Sequence, residues 1–348
     1  MTSSQPGRVE ARRPRVAVDA TGGDFAPRNI VDGALVAARD LDLGVILVGA
    51  RDLLRDELRR HDDAATLDVT VVDAPEAIGM HELPATALRR KPSAAVRVAA
   101  GIVAKGEAVA FFSAGNTGAT LLAARGAFGS LAGVGRPALA TTIPTAGRGA
   151  VLLDSGANVE CRAQHLLQFA AMGVAYARVV LGVPEPRVGL LSIGEEETKG
   201  NELTRDAHQL LRGSRLSFIG NVEARDLYRG HAEVIVCDGF TGNIVLKVSE
   251  GLVDVVEGSL RDELNRMFIT RLLYWLSRGT FRRFRRRLDY AEVGGAPLLG
   301  VSGLCIVGHG RSSIKAVRNA VAMAHRFATH DMLAGVEREL SIAAMTPA

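Results

Sequence analysis

The chain has 348 residues, 47% of them hydrophobic and 23% charged, the balance of a globular protein with a sizeable core rather than of a disordered one. Its 42 basic and 38 acidic residues leave a net charge of +4, too small by itself to point to nucleic acid. Cys161, Cys237 and Cys305 form neither a disulfide framework nor a CxxC metal site, and no apolar run reaches the ~18 residues of a membrane span.

The first 14 residues are polar, with Arg8, Arg12 and Arg13, and read as a disordered tail because no signal-type apolar stretch follows. A pattern then recurs six times: a short apolar run, a Gly-rich polar loop, and a helical pattern. Arg15-Val-Ala-Val-Asp19 runs into Ala-Thr-Gly-Gly-Asp24, and Ala108 to Phe112 into Ser113-Ala-Gly-Asn-Thr-Gly118. Residues 79–92, with Pro84 and Pro92, read as an irregular loop that reaches over a site. Ala150 to Leu153 leads into Asp154-Ser-Gly-Ala-Asn158, and Val188 to Ser192 into Ile193-Gly-Glu-Glu-Glu-Thr-Lys-Gly-Asn201 and a helix over Glu202 to Arg212. Val234 to Val236 leads into Cys237-Asp-Gly-Phe-Thr-Gly-Asn243, and Leu304 to Val307 into Gly308-His-Gly-Arg-Ser-Ser313. Residues 336–348 read as a C-terminal tail.

Strands alternating with helices imply an α/β fold around a largely parallel sheet covered on both faces. Residues 15–335 are expected to form one catalytic domain. Ligands of such sheets sit at the carboxyl ends of the strands. All six loops follow strands, so they are expected on one edge, converging on one site. Glycines let a backbone approach a ligand, and helix N-termini offer unpaired N–H groups, a combination that favours phosphate or another small anion. The candidates are Asp19, Gly22 and Gly23; Gly115, Asn116, Thr117 and Gly118; Asp154 and Asn158; Asp238 and Thr241; and His309 and Arg311. The bland alternative for any one loop is that its glycines merely turn the chain. No GxxxxGK[ST], GxGxxG with a distant acid, HExxH or GxSxG occurs, so neither a nucleotide cofactor nor a metal is expected.

Lys199 follows a strand in a charged loop, where a lysine neutralises a phosphate or a developing oxyanion, with Glu195 and Glu197 as positioning or simply solvated neighbours. Asn243 is expected near a helix start, as a hydrogen-bond donor to a carbonyl or as a plain cap, with Lys247 one turn on. Residues 261–290 hold nine Arg against three acids, so the rest of the chain is slightly acidic. Their apolar face passes through Leu264, Met267, Phe268, Leu272, Trp275 and Leu276, then Gly279, then Phe281 and Phe284 among Arg282 and Arg283. This reads as a helical hairpin with an arginine-rimmed apolar tip, suited to an anionic membrane surface, to an acidic partner, or to a second copy or the core.

Val18-Asp-Ala-Thr-Gly-Gly-Asp-Phe-Ala-Pro27 resembles the N-terminal signature of the PlsX family of phosphate acyltransferases. The resemblance continues in order through Lys91-Pro-Ser93, Ser113-Ala-Gly-Asn-Thr-Gly-Ala119, Gly135-Arg-Pro137, Asp154-Ser-Gly-Ala-Asn158, Gly194-Glu-Glu-Glu-Thr-Lys-Gly-Asn201, Asn221-Val-Glu223, Asp238-Gly-Phe-Thr-Gly-Asn243 and Gly308-His-Gly-Arg311. Two positions depart from the pattern: Thr21, where Met is expected, and Phe25, where His is expected.

The resemblance implies a Rossmann-like three-layer α/β/α fold, related to phosphotransacetylases and to the isocitrate/isopropylmalate dehydrogenase group. It implies acyl transfer from acyl carrier protein to inorganic phosphate without a cofactor, in bacterial phospholipid synthesis. A homodimer in the cytoplasm, held peripherally on the membrane by the hairpin, is also implied, as are catalytic roles for Lys199 and Asn243. A CoA-dependent phosphotransacetylase-like enzyme and a non-catalytic membrane scaffold stand as the competing readings. The first has little use for the hairpin, and the second leaves six polar loops without a purpose.

Overall fold

The computed structural model describes residues 13–266, 279 and 290–344, so the N-terminal tail before residue 13 and most of the expected hairpin lie outside the described residues. In chain order the strands are β1 (Arg15–Asp19), β2 (Gly44–Gly49), β3 (Val69–Asp73), β4 (Ala110–Ser113), β5 (Ala138–Leu139), β6 (Thr141–Ile143), β7 (Ala150–Leu153), β8 (Val188–Ser192), β9 (Phe218–Glu223), β10 (Val234–Val236), β11 (Ala296–Leu299) and β12 (Leu304–Val307). The helices are α1 (Arg28–Asp40), α2 (Arg51–Leu58), α3 (Pro84–Arg90), α4 (Ala95–Ala104), α5 (Thr117–Phe128), α6 (Ala163–Val180), α7 (Glu202–Arg212), α8 (Gly239–Arg266), α9 (Ile314–Thr329) and α10 (Met332–Ala344).

All six expected strands form. They do not share one sheet. A seven-stranded sheet runs β3-β2-β1-β4-β12-β11-β5, and a five-stranded sheet runs β6-β7-β10-β8-β9. The loop-bearing strands β1, β4 and β12 are consecutive parallel neighbours in the first sheet, and β7, β10 and β8 are consecutive parallel neighbours in the second. Each sheet therefore gathers three of the six polar loops at its carboxyl edge. The expectation of a single edge is corrected to two edges with three loops each.

Period-two alternation explains why both faces are covered. Val16 and Val18 of β1 pack in one core with Leu35 of α1 and Val317 and Val321 of α9, while Ala17 between them packs with Ala99 and Ala100 of α4. In the second sheet Leu153, Leu190 and Val236 pack with Phe169 and Tyr176 of α6 and Leu211 of α7. Leu152, Leu191 and Ile235 face the other way, toward Val245 and Leu246 of α8.

The first crossing between the sheets takes a single residue. β5 ends at Leu139, β6 begins at Thr141, and the Ala140 N–H between them donates to the Pro297 carbonyl (3.0 Å). The chain returns to the first sheet through β11 and β12, so the second sheet is inserted within the first.

Two local expectations change. Residues 84–90 form helix α3 rather than loop, because Pro84 occupies its first turn, where a missing N–H costs nothing. Residues 336–344, expected as tail, complete α10, which buries Met332, Val336 and Ala343 against the core and pairs its buried Glu339 with Arg178 of α6.

Candidate active site

At the first sheet the three loops knit together. The Asp24 N–H donates to the Gly310 carbonyl (2.7 Å), and the Gly308 N–H to the Ser113 carbonyl (2.8 Å). Gly22 lies so close to Gly115 that a Cβ there would stand 2.6 Å from the Gly115 nitrogen, so only glycine lets these two backbones meet. Asp19 is buried beneath them. It accepts from the Ser113 hydroxyl (2.7 Å) and from the Thr21 N–H (3.1 Å) and hydroxyl (2.8 Å). Burial pushes its carboxyl above the usual aspartate range against those hydrogen bonds. Thr21, one of the two departures from the family pattern, thus supplies a hydroxyl to Asp19. The space enclosed with Asn116 and Thr120 is about 10 Å³, room for one water and too little for phosphate.

Asn116 is committed to the protein. Its Oδ1 accepts the Ala119 N–H (3.1 Å), capping α5, and its Nδ2 faces the carbonyls of Gly79, Met80 and Glu82 at 3.1–3.2 Å. The residues before α3 are therefore pinned over this edge, where Met80 reaches Gly310 and Pro84 covers Gly118. Thr117 opens α5 and is exposed. The His309 Nδ1 accepts the Arg311 N–H (3.1 Å), while the Arg311 guanidinium is exposed and has no partner among the described residues.

At the second sheet Asp154 plays the part of Asp19 on a larger scale. Its Oδ1 accepts from the N–H groups of Leu139, Gly156 and Ala157 (3.0, 3.1 and 3.0 Å), and its Oδ2 from the Asn158 N–H (2.7 Å) and side chain (2.8 Å). Burial raises this carboxyl as well, opposed by the five donors. Asn158 also donates to the Pro137 carbonyl (2.7 Å), and Ser155 to the Leu139 carbonyl (3.1 Å), so this loop is fastened to β5 where the sheets meet. Asp238 caps α8: its Oδ1 accepts the Thr241 N–H (2.9 Å) and its Oδ2 the Thr241 hydroxyl (2.8 Å). Lys247 pairs with Glu250 on its own helix (2.8 Å).

What remains uncommitted is small. Asn243 sits on the first turns of α8 against Gly156, where a Cβ would stand 3.5 Å from the Asn243 Cβ. It is exposed, and its carboxamide has no partner among the described residues. Lys199 is exposed on the loop after β8. Of its acidic neighbours, Glu195 lies 4.0 Å from Arg225 and Glu197 lies 2.6 Å from Arg212. Of the two acids expected either to position Lys199 or to be solvated, Glu197 is thus engaged by Arg212, while Arg225 pairs more closely with Glu223 (2.6 Å) than with Glu195, and the Lys199 ammonium has no partner among the described residues.

The surroundings of the three thiols disfavour the thiolate. Burial pushes Cys161 up to about 11 and raises Cys237 and Cys305 as well. No group of three or more metal-ligating side chains occurs among the described residues. Trp275, Leu276, Phe281, Arg282, Arg283 and Phe284 lie outside the described residues. Among the described residues no helix is long and apolar enough to cross a membrane.

Sequence reasoning passed over Ser113 as a partner of Asp19, and Arg212 and Arg225 as the arginines that engage the glutamates of the Lys199 loop. Ser113, the last residue of a strand facing Asp19 in the parallel register, was the readable signal.

The chain matches the family described as "Fatty acid synthesis protein" over residues 14–334. It is 47% identical over 327 residues, 94% of either chain, to a protein named phosphate acyltransferase from Trichlorobacter lovleyi. It is also 47% identical over 313 residues, 90% of either chain, to one of the same name from Geobacter sulfurreducens. Among solved structures, a phosphotransacetylase from Streptococcus pyogenes superposes with a TM-score of 0.65 at 15% identity, over 92% of this chain and 95% of its own. A branched-chain phosphotransacylase from Enterococcus faecalis gives 0.56 at 15% identity (90% and 99% coverage). A 4-hydroxythreonine-4-phosphate dehydrogenase from Klebsiella pneumoniae gives 0.52 at 14% identity (91% and 99% coverage). These last three are likenesses of fold, and they agree with the three-layer α/β class read from the sequence.

Proposed function

The chain belongs to the phosphate acyltransferase family, and from that premise we propose that it transfers a long-chain acyl group from the thioester of acyl carrier protein to inorganic phosphate. A phosphate oxygen adds to the thioester carbonyl, the C–S bond breaks, and the proton of hydrogen phosphate passes to the departing thiolate. The products are acyl phosphate and free carrier protein. Hydrogen phosphate is itself the nucleophile, so the reaction needs no strong base. The protein must hold two electron-rich partners together and stabilise the oxyanion.

The observation that carries this reading is which polar side chains are left over. Asp19, Asp154, Asn116, Asn158, Asp238 and Thr241 are consumed in building loops, whereas Lys199, Asn243 and Arg311 are exposed and unpartnered among the described residues. Lys199 neutralises phosphate and oxyanion charge. Asn243 donates to the reacting carbonyl, and Arg311 holds phosphate.

The protein acts as a homodimer. Helix α8 supports this, because Ile244, Val248, Leu252, Val255 and Leu260 form an exposed apolar stripe at helical spacing, a face suited to a second copy. The arginine-rich segment 261–290 then holds the dimer on the anionic inner face of the cytoplasmic membrane, at the start of phospholipid synthesis.

The test is phosphate-dependent release of carrier-protein thiol from long-chain acyl carrier protein, with acyl phosphate trapped as its hydroxamate. Thiol release that requires phosphate and yields hydroxamate is the expected result. Turnover of acyl-CoA but not of acyl carrier protein would move the assignment to a phosphotransacetylase-like enzyme. Silence with both would remove the catalytic reading.

A further inference from the structure

The loop carrying Lys199 is held from below by a residue that no part of the proposed chemistry uses. Asn221, on β9, is 7% exposed. Its Nδ2 donates to the Glu196 carbonyl (2.9 Å), and the same carbonyl accepts the Lys199 N–H (3.0 Å). Two donors thus meet on one oxygen: one closes the turn from Glu196 to Lys199, and the other ties that turn to the second sheet. The Asn221 Oδ1 is buried with no partner among the described residues. A residue kept only for stability gains little from such an arrangement, since an unsatisfied buried acceptor costs about 1–3 kcal/mol.

The strand is adjusted to put Asn221 there. β8 and β9 pair Val188 with Phe218 and then Leu190 with Asn221, so β9 carries one extra residue over that interval. Gly220 lies in it at φ +99°, a left-handed backbone that favours glycine. In even register Gly220 would face Leu190. The extra residue brings Asn221 to that position, and its side chain reaches the turn. The flanking contacts act differently: Glu195–Arg225 and Glu197–Arg212 join exposed side chains, which are mobile and screened by water. Asn221 is the buried tie to the turn's backbone.

We propose that Asn221 is a positioning residue for acyl transfer, fixing the Glu196–Lys199 turn so that the Lys199 ammonium is presented to the transition state. The proposal rests on the catalytic role assigned to Lys199, and the test separates the two. Four proteins are compared at saturating acyl carrier protein over a phosphate series: wild type, Asn221→Ala, Lys199→Ala and the double variant. Asn221→Ala is expected to lower kcat about tenfold, and in the Lys199→Ala background to lower it less than about twofold, because a positioning residue has nothing left to position. Equal loss in both backgrounds, or wild-type kcat in Asn221→Ala, overturns the proposal while leaving Lys199 catalytic. Wild-type kcat in Lys199→Ala overturns the Lys199 assignment, and the proposal with it.

Asn221→Gln, which keeps the donor, should recover part of the loss, and no recovery counts against the hydrogen bond as the cause. Should Asn221→Ala not fold, Gly220→Ala serves instead. A Cβ there meets nothing within 4 Å, so the change acts through the backbone conformation that sets the register. Its expected reading is the same loss of kcat with the same dependence on Lys199, and its absence overturns the proposal.

Discussion

The two sheets present the same motif in opposite ways. At the first, the loops close on each other: Gly22 abuts Gly115, Asn116 clamps the residues ahead of α3, and Asp19 disappears beneath. At the second, Asp154 does the same burying work, yet the chain above it stays open and exposes Lys199 and Asn243. In each sheet the buried aspartate is consumed in building loops, and the proposed chemistry falls to side chains the scaffold leaves unpaired. A polar residue in a strand-end loop is not thereby functional. Its remaining hydrogen-bonding capacity decides.

That contrast breaks most sharply at Lys199. Lys199→Ala should lower kcat by roughly 10²–10³-fold, ~3–4 kcal/mol of barrier, with an unchanged melting temperature because the side chain is exposed. Turnover near wild type would mean that openness does not mark the chemistry. Asn243→Ala should follow at about 10²-fold, ~3 kcal/mol, again with stability kept, measured by hydroxamate formation under phosphate saturation.

Asp154→Asn should do the reverse. The amide nitrogen would face N–H donors where a carboxylate oxygen accepted them, costing about 1–3 kcal/mol of stability in urea denaturation. Turnover per folded molecule should fall far less than in Lys199→Ala. If it falls as far, the aspartate is more than scaffold.

The last expectation is a slope rather than a step. Burial raises the Asp19 carboxyl in the folded protein, so the stability it confers is present in full below the ordinary aspartate value and is lost as pH rises through the raised one. The stability of wild type relative to Asp19→Asn should therefore decline as pH climbs from about 4. A difference independent of pH would mean that the carboxyl is not perturbed by burial.

The local pattern of the chain carried the strands. β1, β7, β8, β10 and β12 begin and end where the apolar runs do, because a strand buried on both faces must be apolar along its length and must stop where polar loop residues begin. Helix α7 is likewise visible, opened by Asn201, whose side chain accepts the Thr204 N–H. Lys199 and Asn243 stood out from residue type and place alone. Helix α3 was obscured by Pro84, which reads as loop unless the first turn of a helix is allowed for.

The division into two sheets left no mark on the composition. The chain passes from β5 to β6 across Ala140 alone, with no linker, and strands of two and three residues make the change. Strand order depends on pairing between segments far apart in sequence, such as Val16 with Ala110 and Ala110 with Leu304. The same holds for which polar groups are consumed. Asn116 was a phosphate ligand on its motif and became a clamp because residues 79–82 fold over it. Glu197 read as a positioning or a solvated neighbour of Lys199, and α7 brings Arg212 beside it instead. Sequence by itself thus determined the six loop-bearing strands and the inventory of reactive side chains, since both follow from neighbouring residues. Only the tertiary structure decided which of those side chains remain free, because a hydrogen bond is satisfied by whatever donor or acceptor lies nearest in space.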